Sequence, residues 1–219
     1  PMDNEGIDLN NLEKALIQNK NTKFLYLIPN FQNPTGKTMS LNTRKSVYEL
    51  CKKYNVFILE DNPYGDLRFE GEDVPNIKSF DTEGLVFYVG SFSKILSPGL
   101  RVGYVCASED VIKKLTVAKQ CSDVHTNILA QKICSEYIKN YDLNEHIKSI
   151  RKIYKDKYDL MMKCIKSEFS NKVKFFETDG GLFVWCILPN NYDVTTFATE
   201  ALKRYKVAVV PGSAFLADE

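Results

Sequence analysis

The chain has 219 residues, 44% of them hydrophobic and 26% charged, a composition that lets a globular protein bury a real core. Its 29 basic and 28 acidic side chains leave a formal charge of +1, which gives no electrostatic footprint for nucleic acid or anionic membrane; a small molecule or another subunit is the expected partner. No stretch approaches the roughly 20 apolar residues of a membrane span, and the six scattered cysteines include no C-x-x-C pair, so the expected setting is reducing and cytoplasmic.

Phe24 to Ile28 is a short apolar run closed by Pro29-Asn30, the pattern of a buried strand. Ser40 is placed to cap a helix whose apolar positions Val47, Leu50, Cys51 and Tyr54 recur three or four apart. Val56 to Leu59 and Leu85 to Val89 read as two more buried strands. Val102 to Cys106 follows after a loop short enough to predict antiparallel entry. Continuous apolar strands alternating with a helix predict an α/β sheet covered on both faces.

From Glu109 onward the pattern is helical. Ile147, Ile150, Tyr154, Met161, Ile165 and Phe169 keep a period near 3.6, which predicts one long helix of the kind that bridges domains. Val173 to Glu177 and Leu182 to Leu188, joined at Asp179-Gly180-Gly181, predict a hairpin. A short helix capped near Thr195 and a last strand over Val207 to Val210 complete a small α+β unit. The expected boundary lies near position 145, dividing the chain into residues 1–145 and 146–219.

Ligands of open α/β sheets sit at the carboxyl ends of the strands. The polar residues there are Asn33, Asp61, Tyr64, Ser91, Ser93 and Lys94, with Arg101 entering the next strand. Each has an ordinary explanation. Asn33-Pro34-Thr35-Gly36 can be a turn, Asp61-Asn62-Pro63-Tyr64 a strand exit, Lys94 a solvated charge, and Arg101 a surface ion pair. Gly180-Gly181 is most simply the hairpin turn. His125 can be an ordinary loop residue, and Tyr137, Tyr141, Tyr154 and Tyr158 have packing on helices as their default explanation. The sequence shows no metal-ligand cluster and no nucleophile elbow.

Taken together, Asn33-Pro34-Thr35-Gly36, Asp61-Asn62-Pro63-Tyr64 and Ser91-Phe92-Ser93-Lys94, with Arg101 seven residues beyond, strongly resemble the fold-type-I pyridoxal-phosphate-dependent aminotransferases of class I/II. The likeness extends over essentially the whole chain and looks closest to the subgroup with 2-aminoadipate and kynurenine aminotransferases. It implies that residues 1–145 are the second half of the large cofactor-binding domain and 146–219 an incomplete small domain.

It also implies roles for the site residues. Lys94 would form the imine to pyridoxal 5'-phosphate and then shuttle the proton between the substrate α-carbon and the cofactor. Asp61 would pair with the pyridine nitrogen, and Tyr64 and Asn33 would bond the ring hydroxyl. Arg101, Ser91 and Ser93 would hold the phosphate, for which a planar guanidinium fork is suited. The implied substrates are an amino acid and a 2-oxo acid, with 2-oxoglutarate as the implied acceptor, in a homodimer.

Position 1 is not Met, and relative to the family the chain would begin just ahead of the first strand and stop after Pro211 to Phe215. The family's stacking aromatic and substrate-clamping arginine would then lie elsewhere, and the expectation is a fragment inactive on its own. Two rival readings share the same residues: an effector-sensing domain of a transcription regulator, and a pyridoxal-dependent β-lyase.

Overall fold

The computed structural model describes residues 2–3, 6–189 and 192–216. Two short strands, β1 (Met2–Asp3) and β2 (Gly6–Ile7), pair antiparallel ahead of α1 (Leu9–Gln18). The sequence reading did not single out α1. It is capped by Asp8, whose carboxylate accepts from the Asn11 amide at 3.0 Å, and it buries Leu12 and Leu16, four apart on one face.

The main sheet has four strands in the order β3 (Phe24–Leu27), β4 (Phe57–Asp61), β5 (Val86–Ser91) and β6 (Gly103–Cys106). The first three are parallel, and β6 returns antiparallel, as its short connection predicts. β4 runs two residues past its apolar stretch, because Asp61 still pairs with Val89. The connection from β3 to β4 is α2 (Leu41–Tyr54), where Ser40 Oγ accepts from the Thr43 amide at 3.3 Å.

Side chains alternate across the sheet. Leu27, Ile58 and Val86 point toward α1 and α2 and join Leu12, Leu16, Val47 and Cys51 in the main core. On the opposite face Phe24, Tyr26, Phe57 and Val105 are exposed in the described residues. The next helix, α3 (Glu109–Ser122), buries no residue and so does not cover that face.

Then come α4 (Ile128–Asn140) and the long α5 (Leu143–Glu168). The position chosen as a domain boundary falls within the first turn of α5. The predicted hairpin is reduced to two-residue strands, β7 (Lys174–Phe175) and β8 (Cys186–Ile187). α6 (Val194–Glu200) is capped by Asp193, which accepts from the Thr195 and Thr196 amides, and a π turn follows over Ala201–Tyr205. Val207 to Val210 is not a strand: Val207, Val209 and Val210 are exposed, and no described strand lies alongside to take their backbone groups.

Two buried charges organise the sheet end. Arg44, fully buried in α2, donates to the carbonyls of Met39, Val74, Pro75 and Pro29 and to Asn30 Oδ1. Glu60, also fully buried, accepts from the Ile77 and Lys78 amides, both at 2.8 Å.

Asp81 clamps the start of β5, accepting from Val86 N at 3.0 Å, Leu85 N at 3.1 Å and Lys78 Nζ at 2.8 Å. Burial alone would raise its pKa, but the Lys78 ammonium and the two amides outweigh it and leave the carboxyl below its ordinary 3.8. A depressed folded-state value makes this stabilisation complete above 3.8 and lost as pH falls through the lowered one. Asp81→Asn is therefore expected to cost about 1–3 kcal/mol at neutral pH and less near pH 3, read as urea unfolding at the two pH values.

Candidate active site

The Asn33–Gly36 segment is a turn in its own right: Gln32 N donates to Lys37 O at 2.8 Å, Gly36 N to Gln32 O at 2.7 Å, and Thr35 N to Gln32 Oε1 at 3.0 Å. Its Asn33–Pro34 peptide is cis, and Gly36 has φ +71° with Phe183 O only 3.0 Å from where a Cβ would stand. The ordinary turn expected of this segment is present, and it sets Asn33 beside the Tyr64 hydroxyl.

The exit of β4 is fixed by a side-chain chain running inward. Asn62 Nδ2 donates to Tyr88 Oη at 2.9 Å, Asn62 Oδ1 accepts from Gly65 N at 3.1 Å and Asn30 Nδ2 at 2.8 Å, and Asn30 Oδ1 takes the 2.6 Å bond from Arg44. Asp61 and Tyr64 flank Asn62 and inherit its rigidity. Tyr64 is buried edge-on against Phe183, with ring centroids 5.2 Å apart. Burial and then the Asp61 carboxylate push its hydroxyl pKa up, while the Asn33 amide beside it pulls the other way. Asn33, Asp61 and Tyr64 therefore meet at one point on the sheet edge.

Ser91, Ser93 and Arg101 meet at a second. Ser91 ends β5 opposite Gly103, and its Oγ accepts from Ser93 N at 3.1 Å; this cap frees the Ser93 hydroxyl for Arg101 Nη1, 3.2 Å away. Arg101 adopts a left-handed backbone at φ 55° and is exposed, with Pro98 O as its other contact at 3.4 Å. Two hydroxyls beside an exposed guanidinium fork make a cradle for a phosphate dianion.

Lys94 follows directly and is half-buried. It lines a cavity of about 250 Å³ with Ser93, His146, Ile150, Tyr154 and Leu182. It forms no hydrogen bond or ion pair with any described residue. Its neighbour Ile95 packs in one cluster with Tyr64, Phe31 and Ile147, which puts the Lys94 turn and the Asp61–Tyr64 segment on the same end of the sheet.

The residues fit pyridoxal phosphate on chemical grounds: a carboxylate, a hydroxyl with an amide, a hydroxyl-lined cation and an amine without a counter-charge correspond to its ring nitrogen, ring hydroxyl, phosphate and aldehyde. Among the described residues no His/Cys/Asp/Glu group could hold a metal ion, and no helix is long and apolar enough to cross a membrane.

Three features escaped the sequence reading. Gly180 and Gly181 do more than turn the chain: Gly181 N donates to Leu67 O at 3.1 Å, and a Cβ on either glycine would meet the Phe31 side chain at 2.4–2.5 Å. With Thr178 Oγ1 donating to Gly36 O at 3.0 Å, they dock the later segment onto the site loops. Tyr154 on α5, which its helical period marked as packing, reaches the Lys94 cavity, and so does His146, which the sequence reading did not single out. Tyr26 Oη donates to Asp61 Oδ2 at 2.8 Å; the available signal was its place on the same sheet face as Leu59 and Asp61 once β3 and β4 are paired in parallel.

Comparison with known proteins gives the same direction. The chain is 42% identical over 99% of its length to aromatic-amino-acid aminotransferase 1 of Thermococcus litoralis, covering 53% of that protein. To the 2-aminoadipate transaminase of Thermus thermophilus it is 36% identical over its full length, covering 55% of that protein. The crystal structure of Pyrococcus horikoshii kynurenine aminotransferase in complex with PMP superposes with a TM-score of 0.93 at 39% identity, over 98% of this chain and 54% of the other. At 31% identity the relatives also include an HTH-type transcriptional regulator, NorG of Staphylococcus aureus. The chain spans about half the length of the curated relatives it matches. Residues 1–219 match the family described as aminotransferase class I and II, and the chain belongs to that family.

Proposed function

We propose that the protein carrying this chain moves an amino group between an amino acid and a 2-oxo acid, with 2-oxoglutarate as acceptor, on pyridoxal phosphate held by Lys94. The observation that carries this is the Lys94 amine, half-buried and unpaired among the described residues, on the sheet end that also gathers Asp61, Tyr64, Asn33 and the Ser93–Arg101 pair. The bound cofactor supplies an electron sink for the pair left when the substrate α-proton departs.

The chain's own residues do the rest. Lys94 would hold the cofactor through its side-chain amine and would carry the proton at the substrate α-carbon. Asp61 would set its negative charge against the pyridine nitrogen and so stabilise charge that grows in the transition state. Tyr64 and Asn33 hold the ring hydroxyl, and Arg101, Ser93 and Ser91 anchor the phosphate. Residues 1–145 then belong to the cofactor-binding domain and 146–219 to a small domain, in a cytoplasmic homodimer.

The test is turnover by the purified protein with tyrosine, kynurenine and 2-aminoadipate as donors and 2-oxoglutarate as acceptor. Glutamate formation from at least one donor supports the reading. Cofactor binding without turnover of any donor moves it to the regulator reading, which the likeness to NorG favours. The polypeptide of residues 1–219 assayed alone is expected to turn over none of them, because Lys94 and Asp61 do not by themselves position a substrate.

A further inference from the structure

Tyr26 stands in the middle of β3 and pairs with Leu59 of β4, so its side chain shares a face with Leu59 and Asp61. Leaning along the strand, its ring reaches the diagonal neighbour two residues past its partner, and Oη donates to Asp61 Oδ2 at 2.8 Å. That bond crosses 35 residues of sequence and joins two strands at the site's edge. The other carboxylate oxygen, Oδ1, takes no hydrogen bond from any described residue.

We infer that Tyr26 is a positioning residue for the transfer reaction: its hydroxyl occupies one oxygen of Asp61, fixes the carboxylate plane, and leaves the other oxygen to face the cofactor's ring nitrogen. This rests on the role given to Asp61 above. The alternatives for Tyr26 are weaker. Packing alone gives no role to its hydroxyl, which makes the 2.8 Å bond to Asp61. As an acid or base it is unsuited, because burial and then the Asp61 charge push its hydroxyl well above the ordinary phenol value, which keeps it a donor.

A bond that orients a charge acts on the chemical step, since the charge is needed where the transition state develops it. Tyr26→Phe keeps the ring and removes the hydroxyl. In the full protein it is expected to leave melting temperature, cofactor affinity and the visible cofactor band in place. Donor KM should stay within about twofold while kcat falls roughly tenfold, the scale of one hydrogen bond to a charged acceptor. On an Asp61→Asn background the same change is expected to add nothing, because the negative charge it orients is gone.

The experiment compares the two single variants and the double, using whichever of tyrosine, kynurenine and 2-aminoadipate the protein turns over fastest. A Tyr26→Phe protein with unaltered kcat, or one whose loss lies wholly in stability or KM, overturns the inference and leaves Asp61 in its role. A further loss from Tyr26→Phe on the Asp61→Asn background also overturns it. An Asp61→Asn protein with full kcat overturns the underlying assignment, and the inference falls with it.

Discussion

Lys94→Ala is expected to abolish the reaction while leaving the fold intact. Lys94 lies in a short turn after β5, is half-buried, and makes no hydrogen bond or ion pair to any described residue, so its removal leaves no orphaned partner. Unfolding free energy should therefore change little, within about 0.5 kcal/mol. Activity is another matter. Positioned proton transfer alone contributes about 10²–10⁴-fold, and covalent attachment of the cofactor is lost as well. The expected result is a kcat lower by at least about 10³-fold, with the visible band replaced by that of free cofactor. Paired stopped-assay and absorbance measurements on wild type and variant check both parts.

Arg44→Ala should produce the largest loss of stability. The guanidinium is fully buried, burial lowers its pKa to about 10, and the Glu60 carboxylate acts against that fall. Glu60 is itself fully buried, and its pKa is pushed up by burial against the pull of the Lys78 and Ile77 amides and then of the Arg44 charge. Removing Arg44 leaves Glu60 with less positive charge nearby and strips donors from four carbonyls and from Asn30. A cost of about 3–5 kcal/mol is expected, measured by urea unfolding. The loss should also reach the chemistry, because Asn30 holds Asn62 between Asp61 and Tyr64. Arg44→Lys should recover only a small part, since one ammonium cannot meet acceptors spread over Met39, Pro29, Asn30, Val74 and Pro75.

These two residues mark where the sequence is legible and where it is not. Lys94 stands out as a polar residue just after an apolar strand, but taken alone it reads as a solvated charge; its proposed role comes from the resemblance carried by three spaced motifs together. Arg44 looks like any charged residue on an amphipathic helix. Only the packing of α2 against the sheet turns its side chain inward among carbonyls from three separate segments. The parallel strands and their antiparallel fourth are legible because apolar continuity and loop length set them locally.

The tail departs from its expectation for a physical reason. A run such as Val207 to Val210 has strand character, but a strand exists only beside a partner, and composition does not say whether the partner is there. Tyr26 shows the limit from the site's side: its link to Asp61 depends on pairing register, which apolar patterning does not give.

The most direct test of the site is chemical trapping. Borohydride reduction of the purified protein with pyridoxal phosphate, followed by proteolysis and peptide mass mapping, locates the amine that holds the cofactor. A phosphopyridoxyl group on the peptide containing Lys94, absent from Lys94→Ala, is the predicted result. Stoichiometric label on another lysine with Lys94 unmodified would contradict the account.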